Sequence, residues 1–323
     1  MSQENSFKSF KCAGLSLDPI HVGTGGSRLG RVDNTIVRDP VTRIPKIPGS
    51  SLAGVTRAYV AMAKEKYPQC AGLGRQTPEG TGGHCRKPDC PVCTVFGFAS
   101  DRRKDPSGGF AGLAAFSDMH VLLFPVATRE GPCWVTSPSA MRIAGEDLSG
   151  LNEDVVYRKT ESRFPLNLGW LLLSVGEYAG WDDLIQALKD LQIPESIQKQ
   201  TLLVSDKLFS YVVNSNLEVR TSVAIDPATG AAEDKALFTY EALPRATVLV
   251  WEVTCRNPKH FKIGGEEIKA VDSPDKVHEL VRNGYDYLKH LGIGGMGSRG
   301  MGRLRVLNHI SSPGKKEREK ENS

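Results

Sequence analysis

The stretch Val248-Leu249-Val250-Trp251-Glu252-Val253 decides the fold. It is a short apolar run broken only by Glu252 and rich in β-branched and aromatic residues, so it reads as a strand. Residues 274–290 follow, with Val277, Leu280, Val281, Tyr285 and Leu288 at helical spacing on one face. Next come Gly292-Ile293-Gly294-Gly295-Met296-Gly297-Ser298-Arg299-Gly300-Met301-Gly302 and a last strand, Arg303-Leu304-Arg305-Val306. This end of the chain is therefore strand, helix, glycine-rich loop, strand.

The other end repeats that order. Phe10-Lys11-Cys12-Ala13-Gly14-Leu15-Ser16-Leu17-Asp18 alternates imperfectly and reads as a strand. Pro45 and Pro48 forbid helix before Gly49, Ser50 or Ser51 is a natural N-cap, and Leu52, Val55, Tyr59 and Met62 carry one amphipathic helix to about residue 66. Residues 113–126, with Ala114, Phe116, Met119, Val121 and Leu123, form a second strand region, and Trp134-Val135 lies just beyond. The skeleton fits a β-α-β-β-α-β sheet with helices on one face, an α+β, ferredoxin-like architecture.

Between these elements lie insertions. Residues 67–97 are rich in Gly, Pro and Cys and need something other than a core to hold them. Residues 144–165 read as polar loop, Leu168 to Val175 as a short strand, and Trp181 to Leu191 as a helix. Asp226-Pro227-Ala228-Thr229-Gly230 is a turn signal between two extended arms, which makes residues 215–245 a long hairpin. Residues 311–323 are charged, mixed in sign, and read as a solvated tail.

Composition bounds the rest. The 323 residues are 40% hydrophobic and 24% charged, enough apolar content for a core and against wholesale disorder. No apolar run approaches the roughly 20 residues of a membrane helix, and the opening MSQENSFKSFK lacks a signal segment, so a cytoplasmic protein is expected. Net charge is only +4, too mild to require a nucleic-acid partner unless a basic stripe is local.

Three clusters carry chemistry. Cys85, Cys90 and Cys93 bring three soft ligands within nine positions, with Cys70 or His84 as a fourth. Four such ligands suit structural zinc in a reducing compartment; His84 abuts Cys85, so its side chain diverges and Cys70 is favoured. Five glycines between Gly294 and Gly302 let backbone N–H groups approach phosphates, with Arg299 and Arg303 supplying charge, although a tight connection alone needs the same residues. The loop from His21 to Asp39 offers Asp33, which can hold a divalent ion, take a proton, or make only an Asx-turn with Asn34.

Four segments resemble the RAMP superfamily of CRISPR proteins, and within it the repeated backbone subunit of type III effector complexes. They are Asp18-Pro19-Ile20-His21-Val22-Gly23 running on to Gly30-Arg31-Val32-Asp33-Asn34, then Ile47-Pro48-Gly49-Ser50-Ser51-Leu52-Ala53-Gly54-Val55-Thr56-Arg57, then Cys90-Pro91-Val92-Cys93-Thr94-Val95-Phe96-Gly97, and the glycine loop. Leu123 to Pro138 and Arg220 to Pro244 resemble the Cmr-type (type III-B) subunit. The Cys cluster is more typical of the Csm type, and Ala53 stands where the family usually has Lys.

The resemblance implies an RRM-like palm, a zinc-binding insertion and a protruding hairpin thumb. It implies copies stacked along CRISPR RNA with other type III effector subunits, presenting the guide to a complementary target RNA that is cut at regular intervals. Asp33 would be the cleaving carboxylate, with Mg2+ or Mn2+. His21, Lys46, Ser50, Ser51, Arg57, Gly294, Gly295, Gly297 and Arg299 would contact RNA. Two other readings are a guide-binding scaffold without cleavage and a metal-independent guide-processing ribonuclease using His21 as base.

Overall fold

The computed structural model describes residues 6–25, 32–72, 83–99 and 109–308. The expected tail at 311–323, residues 26–31 of the first loop and residues 73–82 of the cysteine insertion lie outside them. The chain runs β1 (Phe7–Ser16), β2 (Lys46–Ile47), α1 (Gly49–Ala63), α2 (Pro91–Phe96), β3 (Ala114–Phe116), β4 (Met119–Thr128), β5 (Gly131–Thr136) and α3 (Pro138–Ala144). It continues through β6 (Val155–Arg158), β7 (Ser162–Leu168), β8 (Leu171–Glu177), α4 (Trp181–Asp190), α5 (Glu195–Lys199), β9 (Thr201–Leu203) and α6 (Asp206–Ser215). Then follow β10 (Glu218–Ile225), β11 (Ala232–Ala242), β12 (Val248–Arg256), the two-residue strands β13 (Lys262–Ile263) and β14 (Glu266–Glu267), α7 (Pro274–Arg282), α8 (Tyr285–His290) and β15 (Leu304–Val306).

A large mixed sheet in the order β15-β1-β12-β4-β5-β9-β6-β8-β7 organises this α+β fold. Its first four strands are antiparallel neighbours. The expected helices at 52–66 and 181–191 form, shifted by a few residues. The helix expected over 274–290 breaks into α7 and α8 around Gly284, where a Cβ would come within 3.0 Å of Thr56 Cγ2 on α1. The junction between α7 and α8 thus packs closely on α1 because it lacks a side chain there.

Two expectations are corrected. Helices cover both faces of the sheet, not one. Leu249, Trp251 and Val253 join the core that holds Leu52, Val277, Val281 and Tyr285, whereas Val248 and Val250 pack with Met141, Leu184 and Leu188 of α3 and α4. Burial on two sides explains why β12 reads as a continuous apolar run. Residues 144–165 are not all loop, since β6 and the start of β7 lie there; a register break between Ser162 and Leu166 destroys the alternation that would have marked β7.

Among the named strands of the described residues, β10 and β11 pair only with each other as a long hairpin, largely exposed along β10. Two strands alone are marginal in water, so the hairpin depends on its base. There Tyr240 and Ala242 are buried against Met301, the residue that closes the glycine loop.

Candidate nucleic-acid interface and metal centre

Four segments meet at the hairpin base. Ile20 exchanges backbone hydrogen bonds with Leu243 at 2.9 Å each way, Gly295 N–H donates to the His21 carbonyl at 2.8 Å, and Val37 N–H donates to the Val22 carbonyl at 2.9 Å. Asn34 N–H donates to the Thr239 carbonyl and Glu241 N–H to the Asn34 carbonyl, both at 3.0 Å. The loops carrying Asp33, His21 and the glycines, far apart in sequence, thus share one surface.

Asp33 is exposed, and its Oδ2 accepts from Thr239 N at 2.8 Å and from the Thr239 hydroxyl at 2.9 Å. The Thr239 N–H, and then its hydroxyl, hold the carboxyl below the usual carboxylate range. Beside it Arg38 pairs with Glu241 at 2.8 Å and donates from Nε to Asn214 of α6 at 3.0 Å, tying the loop to both the hairpin and a helix. Thr239, Glu241, Arg38 and Asn214 do not stand out in the sequence. The usable signal is the alternation in β11, where Tyr240 and Ala242 turn inward and Thr239 and Glu241 alternate with them.

His21 is 8% exposed, and its Nδ1 sits 2.6 Å from the Glu241 carbonyl, so that nitrogen carries the proton. The ring holds the loop to the hairpin. In the glycine loop Gly294 has φ +90°, and a Cβ there would lie 2.3 Å from the His21 carbonyl oxygen, so only glycine permits this approach. Gly294, Gly295, Gly297 and Arg299 are exposed.

The α1 N-terminus adjoins this surface, but its cap differs from expectation. Pro48 is the N-cap residue, and Ser50 and Ser51 fall inside the first turn. The capping acceptor comes from elsewhere: Asp118 Oδ1 takes the Gly49 N–H at 2.8 Å, and its other oxygen holds Lys46 Nζ at 2.6 Å. Ser50 is exposed and Ser51 half-buried, while Lys46 already has a carboxylate partner.

Arg57 requires a correction. It is 8% exposed and turned away from this surface, donating to the carbonyls of Cys70 at 2.6 Å and Gly97 at 2.8 Å and lying 2.7 Å from His84 Nδ1. An RNA phosphate cannot reach a guanidinium consumed in this way.

What it faces is the cysteine cluster. The sulfurs of Cys70, Cys85, Cys90 and Cys93 lie within 4.8 Å of one another. Cys85 and Cys93 are 3.8 Å apart, and Cys90 and Cys70 4.0 Å. A zinc tetrahedron with bonds of about 2.3 Å has edges of about 3.8 Å, so the four thiols fit that ion. His84 is not in the set: it accepts from Arg57, and burial together with that cation pushes its pKa down to about 4. Among the described residues Arg57 is hydrogen-bonded to carbonyls and an imidazole, not to a carboxylate. A buried cation so placed is compensated only if the neighbouring sulfurs carry negative charge, as metal-bound thiolates do.

Residues 16–305 match the RAMP superfamily. "CRISPR system Cms endoribonuclease Csm3" of Methanothermobacter thermautotrophicus is 39% identical over 88 residues, 27% of this chain and 28% of that protein. "CRISPR system Cmr endoribonuclease Cmr4" of Pyrococcus furiosus is 22% identical over 297 residues, 80% of this chain and 92% of that protein. Among solved structures, a crystal structure of Cmr4 superposes with a TM-score of 0.57 at 19% identity, over 93% of this chain and 98% of that one. A chain of the type III-B Cmr-beta complex bound to cognate target RNA gives 0.60 at 14% identity, over 94% of this chain and 98% of that one. At such identities the two superpositions establish a common fold.

Proposed function

This chain belongs to the RAMP superfamily, and from that premise we propose that it is a Cmr-type backbone subunit that carries CRISPR RNA and cuts complementary target RNA at Asp33. Copies stack along the guide within a type III effector complex, in the cytoplasm. The strands β15-β1-β12-β4 form a ferredoxin-like palm, residues 67–97 a zinc-binding insertion, and residues 215–245 the thumb. The observation that carries this reading is the placement of an exposed, ionised carboxylate at the foot of a protruding hairpin, beside a loop of exposed glycines.

The guide is held without sequence choice, by groups suited to phosphates. The amides of Gly294 and Gly297, the Arg299 guanidinium and the Ser50 and Ser51 hydroxyls serve this role, while Gly295, whose N–H goes to the His21 carbonyl, holds the loop in shape. Lys46, paired with Asp118, contributes by holding the carboxylate that caps α1, and His21 contributes by fixing the loop. A mild net charge suffices because a continuous basic groove forms only when subunits stack.

For cleavage, the thumb displaces a target nucleotide and frees its 2′-hydroxyl to rotate in line with the adjacent phosphorus. The 2′-oxygen bonds to phosphorus as its proton passes to water, and the 5′-oxygen leaves and takes a proton from water, giving a 2′,3′-cyclic phosphate and a 5′-hydroxyl. Asp33 is a weak base, because its pKa is lowered, so its work would be to hold a divalent cation beside the reacting phosphate through its free oxygen. Thr239 occupies Oδ2, so Asp33 Oδ1 would be the oxygen that holds Mg2+ or Mn2+, hard ions that take carboxylate oxygen. When bound, such an ion neutralises charge developing on the phosphate oxygens. The His21 alternative is disfavoured by the bond from its Nδ1 to Glu241 and by its burial.

A labelled target RNA, incubated with the assembled complex and Mg2+, tests the reading. Evenly spaced products are expected; binding without any ladder, with either Mg2+ or Mn2+, would reduce the subunit to a scaffold.

A further inference from the structure

We infer that Thr239 is the positioning residue for the Asp33 carboxylate, so that the thumb strand that meets the RNA also sets the cleaving oxygen. The inference rests on the function proposed above and adds to it the device that aims Asp33.

A hydroxyl has one proton to give and lone pairs to receive. Thr239 uses both: its oxygen accepts the Asp33 N–H at 3.1 Å and donates to Asp33 Oδ2 at 2.9 Å, while its own N–H reaches the same Oδ2 at 2.8 Å. The result is a closed ring between two residues 206 positions apart in the chain. Among the described residues, the hydrogen bonds to this carboxylate all fall on Oδ2. Its rotation is thereby fixed and Oδ1 is left facing outward.

The flanking contacts belong to the same strand. Tyr240 bridges Asn34, and Glu241 accepts from Arg38 at 2.8 Å and from Ile36 N–H at 3.4 Å. Three consecutive residues of β11 therefore grip the loop over residues 33–38. A thumb that shifts as it wedges between nucleotides carries Asp33 with it, which keeps the carboxylate in register with the displaced nucleotide. A carboxylate loosened by about 1 Å loses on the order of a hundredfold in rate.

The test uses complexes assembled with wild-type, Thr239→Val, Thr239→Ser and Asp33→Asn subunits, each assayed for target affinity, cut positions and single-turnover cleavage rate. Val keeps the shape and the backbone N–H but removes the hydroxyl; Ser restores it. The expected result is a loss of roughly 10- to 100-fold in rate for Val, with target affinity and cut positions unchanged and with Ser returning to within a few-fold of wild type. Val cutting at the wild-type rate beside an inactive Asp33→Asn complex overturns the positioning role alone. Val losing target affinity in step with rate, or Ser failing to rescue, assigns Thr239 to RNA binding or folding and also overturns it. Asp33→Asn cutting normally removes the role of Asp33 itself, and the positioning role falls with it.

Discussion

Arg57 donates from Nε to the backbone carbonyl of Cys70 at 2.6 Å, joining the helix that follows the glycine-serine turn to the loop that bears the cysteines. Burial lowers the pKa of this guanidinium, and the charges of Cys93, Cys70, Cys90 and Cys85 oppose that effect. Four thiolates around a bound Zn2+ would leave a net double negative charge, and Arg57 would offset part of it. Replacing Arg57 by Met should destabilise the chain by roughly 2–4 kcal/mol, because carbonyls are orphaned and a buried charge balance is broken. Zinc per chain should fall, and chelators should strip the metal faster than from wild type. Metal analysis and urea unfolding of the purified subunit check both.

Gly294 gives a second prediction, about the loop itself. Ala at this position meets the His21 carbonyl at 2.3 Å with φ at +90°, so the loop must move. A cost of about 2 kcal/mol or more is expected in stability, together with weaker guide binding in a filter or mobility assay. Gly300, whose φ is also positive but whose Cβ would meet nothing within 4 Å, is the control and should lose less.

Asp18 contributes to acid stability where the glycine loop ends. Arg303 holds it with two hydrogen bonds, and the Arg303 side chain, as the main cause, lowers the Asp18 pKa. A carboxylate whose folded pKa lies below its unfolded value adds stability that is complete above the unfolded value, about 3.9. That stability is lost as pH falls through the folded value. Denaturation midpoints measured from pH 6 down to pH 3 should therefore fall less steeply for Asp18→Asn than for wild type. The effect should be small because Arg303 is half exposed.

The palm-like strands and the cysteine site were the most legible parts of the sequence, for different physical reasons. Val248 to Val253 is apolar on both faces, and Cys85, Cys90 and Cys93 lie close enough along the chain for the geometry to be local. Helices on the second face were less visible because α3 spans only seven residues and β6 only four, too short for a period to register. Arg57 is legible as a helix residue but its direction is not: a cation on the helix that carries Ser50 and Ser51 suggests phosphate, and only tertiary structure turns it toward sulfur. Asp118, Thr239 and Glu241 were invisible for a related reason. Each acts on a partner some 70 to 200 residues distant, as a cap, an aiming group and an ion-pair partner, and side-chain type alone does not announce such pairings.

The most direct test of the account is cleavage by the complex assembled with Asp33→Asn subunits, compared with wild type on one labelled target in Mg2+. Equal target binding by the two complexes, with an evenly spaced ladder from wild type and none from the variant, is the predicted result. An undiminished ladder from Asp33→Asn would contradict it and move the nuclease to another residue or another subunit.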